Sequence, residues 1–194
     1  MPISKLYVLC GLPFSGKTTF ARSVPHAEIL SRDTLMEQIL ASTEAMAAAK
    51  QRALEITHPV SQLYSDKSQN AFNDALTELY TKEVVKRLAT SQSETAIVDG
   101  MHLQPLSRAF VHSVSAKEKI AVIFTTPLEI CLQRFHQSNK PPSLIPLPPP
   151  LPNSLQPTSN ALRSTLTSTA ISRLATVFIP PTVDEGFDRI LTRG

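Results

Sequence analysis

Residues 11 to 18 read Gly11-Leu12-Pro13-Phe14-Ser15-Gly16-Lys17-Thr18, a complete G-x-x-x-x-G-K-[ST] pattern. The apolar run Ile3 to Cys10 precedes it and a helix-compatible stretch, Thr18 to Ser23, follows. That strand–loop–helix context separates the pattern from a chance match in a turn. A loop of this kind turns successive backbone N–H groups inward, a nest for phosphate oxygens, and the helix behind it adds the positive end of its dipole. The spacing predicts that Gly11, Leu12, Pro13, Phe14, Ser15, Gly16, Lys17, Thr18 and Thr19 cradle the phosphates of a nucleoside triphosphate. Lys17 is expected at the β- and γ-phosphates, and the Thr18 hydroxyl in the shell of a Mg²⁺ ion.

Working outward, the first predicted strand runs from Lys5 to Cys10, and a second from Ala27 to Ser31 ends at Arg32-Asp33. Thr34 to Thr57 is rich in Ala, Glu, Gln and Leu and reads as one or two helices, interrupted at Pro59. Gln69 to Thr90 carries Phe72, Leu76, Leu79, Tyr80, Val84 and Leu88 in a helical stripe that ends in Lys86-Arg87. Thr95 to Val98 is a short strand delivering Asp99-Gly100, Leu103 to Val114 reads as a helix, and Lys119 to Thr125 as a strand. Pro127 opens a helix through Gln137, Ser168 to Val177 is helical, and Asp188 to Thr192 is a last strand. Strands alternating with helices predict an α/β fold, a three-layer, doubly wound parallel sheet.

The chain has 194 residues, enough for one well-cored domain, 1–194. Its formal net charge of +3 permits an acidic ligand without demanding one, and no Lys/Arg-rich block points to nucleic acid. Cys10 and Cys131 lie far apart in apolar segments and read as buried free thiols. No leader and no membrane-length apolar run is apparent, so a cytoplasmic protein is expected. Within 138–167 lies an insert unlike the rest: residues 141–157 hold eight of the sixteen prolines, and no charge occurs between Pro141 and Leu162. Such a stretch is expected to form neither strand nor regular helix, and it offers a proline-rich surface for a protein partner. Asn139-Lys140 begins an N-K-x-D-like string, but Pro142 stands where a guanine-reading aspartate belongs.

Phosphoryl transfer needs phosphates held still, charge neutralised, and an acceptor hydroxyl aligned and deprotonated. Asp33 ends the second strand, where ligands gather in a doubly wound sheet, so it is a candidate base; it could equally cap a helix starting at Thr34. Asp99 ends the strand Thr95 to Val98, the shape of a segment whose carboxylate serves Mg²⁺, or alternatively a plain Asp-Gly turn.

Taken together, Gly-Leu-Pro-x-Ser-Gly-Lys-Thr-Thr from Gly11, Ser31-Arg32-Asp33, and Val-Asp-Gly-Met-His-Leu-x-Pro-x-x-Arg from Val98 resemble the AAA-type P-loop kinases. These are the kinases related to polynucleotide 5′-hydroxyl kinase domains and zeta-toxin-like kinases. The closing segment Phe178 to Asp188 resembles theirs as well. The resemblance implies a nucleotide-kinase-like P-loop fold that uses ATP and Mg²⁺ to phosphorylate a hydroxyl acceptor, a polynucleotide 5′-OH or a small molecule. It implies Asp33, Lys17 and Arg134 as catalytic residues, with Arg134 at the start of a mobile lid. Asp99, His102 and Arg108 are implied on the acceptor side, with Thr18 and Asp99 near the metal. Three departures accompany it. Phe14 replaces a usual glycine, Met36 stands where polynucleotide kinases carry an arginine, and the lid region is proline-rich rather than arginine-rich. The alternative is an ATP-binding or ATP-hydrolysing regulatory or scaffold protein in which nucleotide orders the insert for a partner.

Overall fold

The computed structural model describes residues 3–55, 67–138 and 167–194, together with 145–146 and 163–164. Strand β1 (Ile3–Cys10) leads through the loop into helix α1 (Lys17–Ser23), then β2 (Glu28–Ser31), α2 (Arg32–Ala41), α3 (Thr43–Glu55) and α4 (Lys67–Thr90). After β3 (Thr95–Asp99) come a 3₁₀ helix at Pro105–Ser113, β4 (Ala116–Phe124) and α5 (Leu128–Gln137). The chain then passes β5 (Ile145–Pro146), β6 (Arg163–Ser164), α6 (Ser168–Thr176), a short 3₁₀ turn at Val183–Glu185 and β7 (Arg189–Arg193).

Five strands form one sheet in the order β2-β3-β1-β4-β7, every neighbouring pair parallel. Parallel strands are apolar where both faces are buried, and β1 from Leu6 to Cys10 shows why. Leu6, Val8 and Cys10 face one way, joining Leu30, Ala96 and Val98 against α2, α3 and α4. Tyr7 and Leu9 face the other way, joining Ile97, Ile120 and Val122 against Phe20 and Ala21 of α1 and Val24 just after it. Helices therefore cover both faces, as the strand–helix alternation predicts.

On α4 the residues Phe72, Leu76, Tyr80, Val84 and Leu88, spaced four apart, are all buried. Each such side chain withdrawn from water is worth about 1.5–3 kcal/mol, enough to hold a long helix on the sheet. The ambiguous segment after Asp33 resolves into two helices at Ser42, whose hydroxyl accepts the Ala45 N–H at 3.1 Å. The 103–114 segment winds as a 3₁₀ helix rather than an α-helix, with Arg108, Val111 and Val114 buried at intervals of three, the period of that winding.

The proline-rich insert departs from expectation at one point, where Ile145–Pro146 pairs antiparallel with Arg163–Ser164. A ladder of two residues with Pro146 at its end asks little of the missing proline N–H. The remainder of the insert, including the expected partner-binding prolines, lies outside the described residues. Among the described residues no helix is long and apolar enough to cross a membrane.

Candidate phosphate-binding and acceptor site

The loop leaves β1 at the carboxyl edge of the sheet, where open α/β folds gather their ligands. Gly16 has φ 98, a left-handed conformation that glycine enters freely, and this turns the chain into α1. Two contacts hold the loop from outside. The Thr126 hydroxyl donates to the Ser15 carbonyl at 2.9 Å, and the Arg134 guanidinium donates to the Phe14 carbonyl at 3.0 Å. With these carbonyls drawn away, the first N–H groups of α1, which have no intrahelical acceptors, point to the mouth of the loop. Phe14 itself sits at φ 64 and meets the Phe135 ring edge-on at 5.5 Å. The positive φ is the reason glycine suits this position, and the aromatic contact offsets the penalty for a side chain there.

Lys17 is buried in the loop, its ammonium donating to the Leu12 carbonyl at 2.5 Å and to the Ser15 hydroxyl at 3.4 Å. Burial lowers its pKa from 10.5 to about 8, against the opposing pull of Asp99 and Asp33. The Thr18 hydroxyl donates to the Asp99 carboxylate at 2.8 Å. Burial raises the Asp99 pKa, while the Thr18 hydrogen bond and the Lys17 charge draw it down. Two hard oxygen atoms thus meet at the mouth of the loop, a donor set suited to Mg²⁺ held jointly with phosphate oxygens. Among the described residues no cluster of three or more His, Cys, Asp or Glu side chains could hold a metal by itself.

An open cleft of about 1120 Å³ lies over these groups, lined by Pro13 to Thr19 of the loop, and by Asp33, Asp99 and Arg134. Asp33 lies in the first turn of α2, which begins at Arg32 after Ser31 in the N-cap position, so it does not cap a helix starting at Thr34.

Residues 6–146 match the family described as AAA domain. The chain belongs to the AAA domain family. No curated protein sequence matches it. Among solved structures, a sugar kinase from Janibacter sp. HTCC2649 aligns over 98% of this chain and 86% of its own, at 15% identity and a TM-score of 0.53. A gluconokinase from Sinorhizobium meliloti 1021 aligns over 99% and 83%, at 13% identity and a TM-score of 0.52. TT1252 from Thermus thermophilus aligns over 100% and 90%, at 12% identity and a TM-score of 0.56. At these identities the likeness is one of fold, and the fold of this AAA domain is that of P-loop kinases.

Not every expected site residue of the AAA domain reaches the cleft. Gly11 and Leu12 lie behind the loop, both buried, and Leu12 packs with Leu103 and Cys131. His102 is buried beneath the cleft wall, with Nδ1 3.0 Å from the Ser107 carbonyl. Arg108 corrects the expectation most plainly. It is fully buried, grips both Glu185 oxygens at 2.7 and 2.8 Å, and donates to the carbonyls of His102 and Ile179. The bonds to Glu185 and Ile179 fasten the 178–186 segment to the 3₁₀ helix and the bond to His102 holds the turn before it, so Arg108 is spent on structure and does not line the cleft.

Conversely, Arg22, Thr126 and Arg193 line the cleft although no sequence motif points to them, and Arg32 lines it beside Asp33. Arg193, whose guanidinium lies 4.8 Å over the Phe20 ring, ends the last parallel strand. The rule that ligands collect beyond strand carboxyl ends applies to it as it does to Asp33. The two cysteines are free and buried as expected, and burial pushes the Cys10 thiol up to about 12.

Proposed function

We propose that this protein is an ATP-dependent phosphotransferase that moves the γ-phosphoryl group to an acceptor hydroxyl, with Asp33 as the base. The observation that carries the reading is the Thr18–Asp99 contact at the mouth of the loop, facing the same cleft as Lys17 and Asp33. In this scheme the loop N–H groups and the α1 N-terminus hold the phosphates, and Lys17 balances charge on the β- and γ-oxygens. Thr18 and Asp99 would hold Mg²⁺, which when bound neutralises phosphate charge. Arg134, which donates to the Phe14 carbonyl and lines the cleft, would stabilise charge on the migrating group in this reading. Asp33 takes the proton of the acceptor hydroxyl as its oxygen bonds to the γ-phosphorus; the bond to the β–γ bridging oxygen breaks, and ADP leaves.

Incubation with γ-labelled ATP and 5′-hydroxyl RNA and DNA, nucleosides and simple sugars tests the reading. Acceptor-dependent transfer is expected, with Asp33→Asn lowering kcat by about 10²–10⁴-fold, the range of a positioned base. Absence of transfer above a Lys17→Ala control for every acceptor would overturn it.

A further inference from the structure

Two polar atoms beneath the cleft have no partner. The Tyr80 hydroxyl and His102 Nε2 are both buried and form no hydrogen bond, although the two residues are only 4% and 3% exposed. Each unpaired group of this kind costs about 1–3 kcal/mol. The apolar stripe of α4 accounts for the Tyr80 ring but not for its hydroxyl, since phenylalanine would serve the stripe with nothing left unsatisfied. His102 adds a backbone penalty, with φ 42 in the left-handed region.

The two rings lie 6.4 Å apart, at the boundary between core and cleft. Gly100 lines the cleft, and a Cβ on it would come within 2.7 Å of His102 Nε2. Only the Gly100 backbone therefore stands between the buried imidazole edge and the cleft. Arg32 also lines the cleft, its guanidinium 5.8 Å over the Tyr80 ring.

The polarity of this floor is fixed. The Ser107 carbonyl can only accept, so His102 Nδ1 carries the proton and Nε2 offers a lone pair. Burial lowers the imidazole pKa to about 3, which keeps it neutral, and burial raises that of the Tyr80 phenol, which keeps its proton. One atom accepts and the other donates.

We propose that Tyr80 Oη and His102 Nε2 form the floor of the acceptor subsite, reached over Gly100 once Arg32 lifts, and that they hold a hydroxyl of a small, non-ionic polyol. This rests on the phosphotransferase reading. A hydroxyl answers both groups at once, donating to Nε2 and accepting from Tyr80, whereas a carboxylate has no proton for Nε2. The rings of Tyr80 and Phe110, the latter 5.6 Å from His102, suit the C–H faces of a polyol. A single-stranded polynucleotide calls instead for a cationic track and stacking platforms open to solvent.

The test uses the full chain with labelled ATP and five probes: glycerol, myo-inositol, D-glucose, the charged D-gluconate and a 5′-hydroxyl oligonucleotide. Long-range ¹H–¹⁵N spectra follow His102 Nε2 in parallel. A neutral polyol is expected to be phosphorylated and to shift the Nε2 resonance. Tyr80→Phe then raises its KM at least tenfold, with the KM for ATP unchanged and the melting temperature unchanged or higher. Gly100→Ala produces the same split by closing the entrance. An unchanged polyol KM in Tyr80→Phe, a response to D-gluconate or the oligonucleotide alone, or no Nε2 shift with any neutral polyol overturns the inference. Asp33-dependent transfer to the oligonucleotide alone sinks it while sparing the phosphotransferase reading. A polyol that shifts Nε2 without transfer supports the subsite and counts against that reading.

Discussion

Phe14 occupies a backbone conformation that costs an L-residue about 1–2 kcal/mol, and it does so inside the loop that grips phosphate. Truncation separates the penalty from the compensation. Phe14→Ala and Phe14→Gly both lose the contact with Phe135, but only alanine still bears the left-handed strain. Thermal or denaturant unfolding is expected to find Phe14→Ala less stable than Phe14→Gly by about 1 kcal/mol. Lys17 carries a pH signature. Its folded pKa of about 8 lies below the usual 10.5, so between those values the unfolded chain binds a proton that the folded chain has released. Stability of the free protein therefore rises with pH across that window. ATP requires the ammonium form, so its affinity moves the opposite way and falls as pH climbs past 8. Calorimetric titration from pH 7 to 9.5 checks this, and Lys17→Met is expected to flatten both profiles. The loop was legible residue by residue because its chemistry is local, eight consecutive positions with a strand before and a helix after. The burial of Arg108 was not, because what removes it from the cleft is distant in sequence: Glu185 stands 77 residues beyond it.

Among the elements, the 3₁₀ helix at Pro105–Ser113 and the 3₁₀ turn at Val183–Glu185 are joined chiefly through the Arg108–Glu185 pair. Glu185→Ala leaves a fully buried guanidinium without its counter-charge, and a loss of about 3–5 kcal/mol is expected in denaturant unfolding. The pair also sets an acid limit. The Arg108 hydrogen bond lowers the Glu185 pKa below the usual carboxylate value. Its contribution is thus fully present above that ordinary value and is lost as pH falls through the lowered one. Helix α4 could be read from its four-residue apolar stripe, and α2 from its position after a strand. The winding of residues 105–113 could not, because one apolar segment fits a period of three or of three and a half until the partners of Arg108, Val111 and Val114 are known.

Over the whole molecule, alternation of strands and helices announced a parallel sheet, yet the order β2-β3-β1-β4-β7 is written in no local segment. It emerges from which apolar faces find each other, and it places β1 at the centre with β3 and β4 on its flanks. Hydrogen exchange is expected to follow that order, with β1, β3 and β4 protected longest and the edge strands β2 and β7 exchanging sooner. At one end of the sheet α5 and α6 pack together through Leu128, Cys131, Leu174 and Ala175, and Ser168 Oγ lies 3.2 Å from His136 Nε2. The two ends of the 138–167 segment are therefore fastened side by side. Closing a chain between fixed ends grows costlier by only about 0.6 kcal/mol for each doubling of length, so replacing residues 147–162 with a short Gly-Ser linker is expected to move stability by about 1 kcal/mol or less. The frame that receives the 138–167 segment is thus set by α5 and α6 themselves, a socket whose spacing is fixed by Leu128, Cys131, Leu174 and Ala175.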